Sequence, residues 1–98
     1  MRVIAFAMLR DFARRGHADS EVVLREWYRA AEKAQWNSMA DVRRDFPSAD
    51  LVGGDRIMFN IGGNKYRLVC LVHFGRPTLF VLWVGTHAEY DRINVRDL

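Results

Sequence analysis

Three side chains in the second half of the sequence, Arg67, His87 and Tyr90, belong to the types that proton transfer and phosphate chemistry require. Histidine titrates near neutral pH and can act as acid or base. Arginine presents a permanently charged, forked donor to phosphate oxygens, and tyrosine can stack on a base or donate a proton. These types suit cleavage of RNA without a metal, in which the ribose 2′-OH attacks the neighbouring phosphate.

Three consecutive β-strands are predicted to bring these side chains together. Apolar residues alternate with a period of two over Arg56–Ile61 and again over Tyr66–Val72, which is typical of half-buried strands. The pair Gly62-Gly63 separates them as a hairpin turn, because glycine reaches the positive φ that tight turns demand. The stretch Leu79–Val84 is apolar throughout, which predicts a third strand covered on both faces.

Pairing the strands predicts where the polar residues meet. A turn at Gly62-Gly63 places Asn60 opposite Lys65 and Met58 opposite Arg67. A turn near Gly75-Arg76 places Lys65 opposite Thr86, and Arg67 opposite Val84. A slip of one residue would reverse the faces, so the robust expectation is a polar cluster at one end of the sheet. Its members are Asn60, Asn64, Lys65, Arg67, Thr86 and His87. Within it, Lys65, Asn60 and Asn64 are expected to orient an RNA backbone.

The same residues also have purely structural interpretations. Arg67 could pair with Glu89 or Asp91, His87 could cap the turn that follows its strand, and Tyr90 could be an amphipathic packing residue. Spacing alone favours these structural roles over catalysis.

Other familiar sites are not predicted. The glycine pair connects two strands and precedes no helix, so it is not a Walker-type phosphate loop. The three histidines are too far apart in sequence for a zinc motif, and the carboxylates do not pair as a two-metal site requires. The sequence therefore predicts no metal and no cofactor.

Composition predicts one domain over residues 1–98. Hydrophobic residues make up 50% of the chain, which is enough for a core. The single cysteine, Cys70, lies in a predicted strand, so a buried structural role and a reducing compartment are expected. Neither a signal peptide nor a membrane-length apolar run is present, which predicts a cytoplasmic protein without membrane contact. The net charge is +3, and thirteen of the fifteen basic residues are arginine, which suits phosphate recognition or reflects coding bias.

Helical periodicity dominates the amino-terminal half. One helix is predicted before a C-cap at Gly16, a second after a cap at Asp19 or Ser20, and a short third one after Ser38. The second has an expected core stripe of Val23, Trp27, Ala30, Ala31 and Ala34. Helices followed by a meander of strands predict an α+β domain, with the helices on one face of a small antiparallel sheet.

Two motifs carry a family resemblance. The run FNIGGNKYRLV, followed further on by VGTHAEYD, resembles the HigB family of type II toxins in the RelE/ParE superfamily. The resemblance extends through Trp36, Asp41, Phe46-Pro47 and Ala49-Asp50, and so covers nearly the whole chain. It implies a RelE-like fold with a short carboxy-terminal helical turn. It also implies an mRNA interferase that acts on ribosomes or on free mRNA and is held inactive by a HigA-like helix-turn-helix antitoxin.

The resemblance also assigns roles to residues. Arg67, His87 and Tyr90 match motif positions and are expected to be catalytic, whereas Lys65 lies in a less distinctive part of the motif. Two alternatives remain at this point. Some members of the superfamily poison DNA gyrase and cut no RNA, so the fold alone does not fix the activity. A non-catalytic RNA- or ribosome-binding module is favoured by the arginine content and disfavoured by the lack of exposed aromatic residues on the predicted strands.

Overall fold

One five-stranded sheet and a set of amino-terminal helices make up the computed structural model, which describes all residues 1–98. The strands are β1 (Arg2–Ile4), β2 (Asp50–Gly53), β3 (Arg56–Ile61), β4 (Tyr66–His73) and β5 (Thr78–Thr86). The helices are α1 (Phe6–Arg14), α2 (Ser20–Lys33), α3 (Met39–Asp45) and the single-turn α4 (His87–Tyr90), followed by a 3-10 turn at Val95–Asp97. The strand order is β1-β5-β4-β3-β2, which confirms the predicted α+β class. None of the helices is both long and apolar enough to span a bilayer.

The sheet is antiparallel except at one edge. Strand β1 pairs in parallel with β5, with Arg2 opposite Thr78 and Ile4 opposite Phe80. A parallel pair needs a long crossover connection, and α1, α2 and α3 lie within the chain that joins these two strands. The helices therefore cover one face of the sheet as a consequence of this connection.

The predicted core stripe of α2 is correct only in part. Trp27 and Ala31 are buried as expected, but Ala30 is exposed, and Leu24, which lies outside the predicted stripe, is buried. Leu24, Trp27 and Ala31 follow the i, i+3, i+7 spacing of one helical face. Trp27 packs edge-on to Phe59 with ring centroids 5.2 Å apart, so the prediction of a packing role for Trp27 is confirmed.

The predicted cap of α3 is confirmed. The Ser38 hydroxyl accepts a hydrogen bond from the Asp41 backbone N–H at 3.4 Å, and the Asp41 carboxylate accepts one from the backbone N–H of Asn37 at 2.9 Å. The helix ends just before Pro47, which cannot continue the hydrogen-bond ladder.

The predicted strand faces are confirmed for β4. Tyr66, Leu68, Cys70 and Val72 all lie in the core. The Cys70 thiol is fully buried, and burial raises its pKa well above the usual range, in agreement with the expected structural role. The expectation for β5 was wrong, because Phe80 is 38% exposed and only one face of that strand is fully covered.

The predicted strand register was also wrong. Asn60 pairs with Arg67 and not with Lys65, and Met58 pairs with Val69. The physical reason is the length of the turn, since residues 62–65 are all outside the strands. Gly62, Gly63 and Asn64 all have positive φ, and the Lys65 N–H donates to the Gly62 carbonyl.

The β4–β5 register departs from the prediction as well. Thr86 lies opposite Tyr66, and Gly85 lies opposite Arg67. The ladder shifts between Val69, which faces Trp83, and Cys70, which faces Val81. Leu82 is therefore an extra, unpaired residue in β5, which is the definition of a β-bulge.

Candidate functional site

Polar side chains collect on the sheet surface that faces away from the helices, here called the site face. Leu68 and Cys70 of β4 point into the helix-covered core, so Arg67 and Val69 point to the site face. Cross-strand partners share a face, and the register therefore gives two adjacent rows. One row is Asn60, Arg67 and Gly85, and the other is Asp50, Met58, Val69 and Trp83.

Arg67 and Tyr90 are in direct contact on this face. The guanidinium carbon of Arg67 lies 4.7 Å from the centre of the Tyr90 ring, within the range of a cation–π interaction. The Trp83 ring packs on Tyr90 with centroids 5.9 Å apart and planes at 54°. Tyr90 is therefore held between an aromatic ring and a cation, and α4 is docked onto the sheet through this side chain.

The guanidinium of Arg67 borders an open groove. The groove has a volume of about 570 Å³ and is lined by Ser48, Asn60, Gly63, Asn64 and Arg67. Arg67 Nη2 donates to Asn64 Oδ1 at 3.4 Å, and Asn60 Nδ2 donates to the Ser48 carbonyl at 3.4 Å. Arg67 Nε and Asn60 Oδ1 are buried and lack a hydrogen-bond partner. Both atoms are shielded from solvent, so they are unpaired within the sheet and are not exposed to a ligand in the groove.

No carboxylate neutralises Arg67. The two carboxylates considered from the sequence are engaged elsewhere, with Asp91 Oδ2 lying 3.7 Å from His87 Nδ1. Glu89 accepts a hydrogen bond from the backbone N–H of Thr86 at 2.8 Å, and the Thr86 hydroxyl accepts one from the N–H of Glu89 at 3.1 Å. Because this reciprocal capping box satisfies the start of α4, the turn after β5 is capped by Thr86 and not by His87.

His87 is the first residue of α4 and has a half-exposed imidazole. Its backbone N–H donates to the Lys65 carbonyl at 3.2 Å, which ties the helix to the β3–β4 turn. No hydrogen bond or ring stacking joins the His87 imidazole to Arg67 or Tyr90, although Tyr90 lies three residues further along the same helical turn. The imidazole is therefore half-exposed, with the Asp91 carboxylate as its charged neighbour, and makes no hydrogen bond or stacking contact with the arginine–tyrosine pair.

The phenol of Tyr90 favours its protonated form. Partial burial raises the pKa of Tyr90 above its ordinary value, and the nearby Asp50 and Asp91 carboxylates raise it further, while the Arg67 charge acts in the opposite direction. A tyrosine with a raised pKa is a hydrogen-bond donor at neutral pH. The site therefore combines a fixed cation, a neutral phenol and an accessible imidazole.

Lys65 is not among the groove-lining residues. Its ammonium group forms an ion pair with Asp19, whose other carboxylate oxygen accepts a hydrogen bond from the Tyr66 hydroxyl. These two bonds, first that of Lys65 and then that of Tyr66, lower the pKa of Asp19. The structure thus gathers Asn60, Asn64 and Arg67 around the groove and places Lys65 against the start of α2.

Sequence reasoning missed several residues of this surface. Trp83 lies within the apolar run Leu79–Val84, which has no period, and Gly85 follows it, while Ser48 and Asp50 lie between the predicted third helix and the strand that begins at Arg56. A glycine inside a strand is itself a signal, because it indicates a close approach of another group to the backbone. Across residues 1–98, no three histidine, cysteine, aspartate or glutamate side chains are grouped so that they could hold a metal ion.

The structure is thus an α+β domain with an arginine-containing groove on the sheet surface that the helices leave uncovered. The model of the HigB toxin family, described as the RelE-like toxic component of a toxin–antitoxin system, matches residues 20–93, and the chain belongs to this family. An antitoxin is accordingly its partner. The chain is also 25% identical over 95 residues to the mRNA interferase HigB of Escherichia coli O6:H1, an alignment that covers 95% of this chain and 91% of that protein.

Proposed function

We propose that this toxin is an mRNA interferase, an endoribonuclease that cleaves mRNA on the translating ribosome and so inhibits translation and growth. The observation that carries the proposal is the Arg67 guanidinium, which lies on Tyr90 at the edge of an open groove with no carboxylate to neutralise it. The similarity to an mRNA interferase over nearly the whole chain supports the same activity. Both mRNA and ribosomes are cytoplasmic, which agrees with the expected location.

The proposed reaction uses the RNA 2′-OH and only groups of this chain. A base takes the proton of the 2′-OH, the 2′-oxygen bonds to phosphorus, and the bond from phosphorus to the 5′-oxygen breaks as an acid protonates the leaving oxygen. His87 is the base, because its imidazole is accessible and histidine accepts protons near neutral pH. Tyr90 is the acid, because its phenol carries a proton at neutral pH and lies against the Arg67 charge, which favours loss of that proton. Arg67 stabilises the charge that develops on the phosphorane oxygens.

The remaining groove residues orient the RNA. Asn60 and Asn64 line the groove together with Arg67, so the amide groups of the two asparagines are proposed to hold the RNA backbone beside the guanidinium. Lys65 is proposed to contact RNA with the N–H donors that its ion pair with Asp19 leaves free, since its side chain is 63% exposed.

The proposed partner is a HigA-like helix-turn-helix antitoxin that covers or misaligns the groove. A basic phosphate-binding surface must be silenced in the cell that makes it, and charge complementarity favours an acidic segment as the cover. The test is the neighbouring reading frame and its co-expression. A small helix-turn-helix gene next to this one should abolish toxicity, whereas a chain that is harmless without any such neighbour contradicts the proposal.

Induced expression followed by mapping of RNA ends tests the activity. Growth should stop, and new transcript ends should map to defined codon positions within translated regions. Intact mRNA together with arrested DNA replication would instead identify a gyrase-inhibiting toxin of the same fold.

A histidine variant separates catalysis from simple binding. His87→Ala should remove toxicity and cleavage while ribosome binding persists, because Arg67 and the groove amides are intact. The matched control is His73→Ala. His73 is the last residue of β4, at the end of the strand away from Arg67, and it accepts a hydrogen bond only from the backbone of Arg76. Unchanged toxicity in His87→Ala would favour a non-catalytic RNA- or ribosome-binding module.

A further inference from the structure

The indole of Trp83 lies directly over the backbone of Gly85. A Cβ atom at position 85 would lie 2.5 Å from Cζ2 and 2.6 Å from Cη2 of Trp83, closer than real Cβ atoms approach other carbons, and 3.1 Å from Oε1 of Glu89. The φ angle of Gly85 is not in the left-handed region. The glycine is therefore required by the close approach of the ring and not by the conformation of the backbone.

The β-bulge in β5 determines the face on which this ring lies. Leu79 and Val81 point into the core, and uninterrupted alternation would place Trp83 and Gly85 on the same core face. The extra residue Leu82 reverses the alternation, so that Trp83 pairs with Val69 on the site face. Bulges are known to re-aim side chains next to active sites.

The re-aimed indole completes a stack of three side chains. Trp83 packs on Tyr90, and Tyr90 in turn lies 4.7 Å from the guanidinium carbon of Arg67. Gly85, beneath the indole, is also the cross-strand partner of Arg67. The ring of Tyr90 thus contacts Trp83 on one side and Arg67 on another. Trp83 and Arg67 both lie on paired strands of the sheet.

We infer that Trp83 is a positioning residue for the proposed RNA cleavage, held by Gly85 and the Leu82 bulge so that it fixes the ring of Tyr90 against Arg67. The activity part of this inference rests on the proposed function. Trp83 acts through Tyr90, and its removal should affect the chemical step more than RNA binding. Trp83 is not part of the helix-covered core, because Val81 and Val84 occupy that face of β5.

Gly85→Ala tests the arrangement because the added methyl group must displace the indole, whereas the Glu89 carboxylate needs to move only slightly. With cleavage measured on ribosome-bound mRNA, kcat should fall roughly ten- to a hundredfold with little change in KM, since ångström-scale misplacement of a reacting group has effects of about this size. The pKa of the Tyr90 phenol should move back toward the ordinary tyrosine value, because the indole contributes to its burial. Gly75→Ala is the control, since a Cβ there meets only the flexible side chain of His73.

A double-mutant cycle isolates the proposed contact. If the methyl group acts by displacing the ring, adding Gly85→Ala to Trp83→Ala should cost no further activity. Trp83→Phe keeps a ring and should recover part of the activity lost in Trp83→Ala. Full additivity of the two losses overturns the inference.

The pKa of the Tyr90 phenol can be measured without RNA, so it tests the Trp83 arrangement separately from the activity. It is obtained by subtracting the pH titration of the Tyr90→Phe counterpart from the pH titration of each variant. If the wild-type protein cleaves no RNA, the proposed function fails, while an unchanged Tyr90 pKa in Gly85→Ala overturns the Trp83 arrangement itself. If Gly85→Ala does not fold, Trp83→Leu is measured in the same way, and wild-type kcat together with an unchanged Tyr90 pKa overturns the inference.

Discussion

The guanidinium carbon of Arg67 and the ring centre of Tyr90 lie 4.7 Å apart, although 23 positions separate the two residues in the sequence (90 − 67). Two features create this contact. The pairing of Arg67 with Gly85 places the arginine beside the end of β5, and the capping box at Thr86 starts α4 immediately afterwards. The catalytic pair proposed here therefore depends on how β5 ends.

Arg67→Lys should lower the rate of RNA cleavage even though it keeps the positive charge. Lysine lacks the planar fork that binds a phosphate through two parallel hydrogen bonds and that stacks on an aromatic ring. We expect a loss of about ten- to a thousandfold in single-turnover rate, comparable to removal of one transition-state donor. Arg76→Lys is the matched control, because Arg76 is exposed in the turn between β4 and β5. Equal rates for Arg67→Lys and wild type would show that the fork is not used.

The pH dependence of single-turnover cleavage should be bell-shaped. The rate should fall at low pH, because a base that already carries a proton cannot take the proton of the 2′-OH. It should fall at high pH as Tyr90 loses its proton, and because burial raises the pKa of Tyr90, this limb should lie above the ordinary tyrosine value of about 10. His87→Gln should remove the acid limb together with most of the activity. A His87→Gln protein with the wild-type rate and profile would reduce His87 to a positioning role.

Asp19→Asn should destabilise the fold at neutral pH and less so in acid. Hydrogen bonds from Lys65 and then from Tyr66 lower the pKa of Asp19 in the folded state. A group with a lowered folded pKa stabilises the fold above its unfolded pKa, and this contribution disappears as the pH falls through the folded pKa. The free energy of unfolding in urea, measured across the acid range, should therefore fall less steeply in Asp19→Asn than in wild type. Asp11→Asn, on the exposed side of α1, should keep the wild-type slope, and an identical slope for Asp19→Asn would contradict the prediction.

Thr86→Ala should destabilise the start of α4 and, as a consequence, lower the rate of RNA cleavage. Loss of an N-cap side chain costs about 1 kcal/mol of stability, and here it leaves the backbone N–H of Glu89 without its acceptor, while the Thr86 backbone N–H still donates to the Glu89 carboxylate. His87 and Tyr90 both lie on this single turn, so cleavage should decrease by more than the loss of folded protein explains. Thr78→Ala, at the opposite end of β5, is the control. Full activity in a destabilised Thr86→Ala protein would mean that the cap does not position the site.

The elements of this fold were largely predictable from periodicity, and their register was not. Alternation over Tyr66–Val72 identified the buried face of β4 because each residue type matched its side of the strand. The β3–β4 turn was misjudged because Asn64 also adopts a positive φ and lengthens the turn beyond Gly62-Gly63. The bulge at Leu82 was not predictable, because a run that is apolar on both faces contains no period that could reveal an extra residue.

Long-range contacts of the site were also beyond sequence reasoning. The ion pair between Asp19 and Lys65 joins the start of α2 to the β3–β4 turn, and neither residue type nor spacing indicates such a pair. The edge strand β1 is only three residues long, and its parallel partner β5 lies near the other end of the chain. By contrast, the catalytic candidates Arg67 and Tyr90 were identified by residue type and motif, and the structure places them in contact.

The chemistry of the cleaved RNA ends tests the central claim most directly. Cleavage sites are first mapped on a natural mRNA in a translating extract, and a matching synthetic mRNA is then made with a single 2′-deoxy sugar on the 5′ side of the cut bond. If the 2′-OH is the nucleophile, the unmodified mRNA should give a 2′,3′-cyclic phosphate and a 5′-hydroxyl, and the 2′-deoxy mRNA should remain intact at that bond. Cleavage of the 2′-deoxy mRNA, or products that carry a 5′-phosphate, would contradict the proposed mechanism.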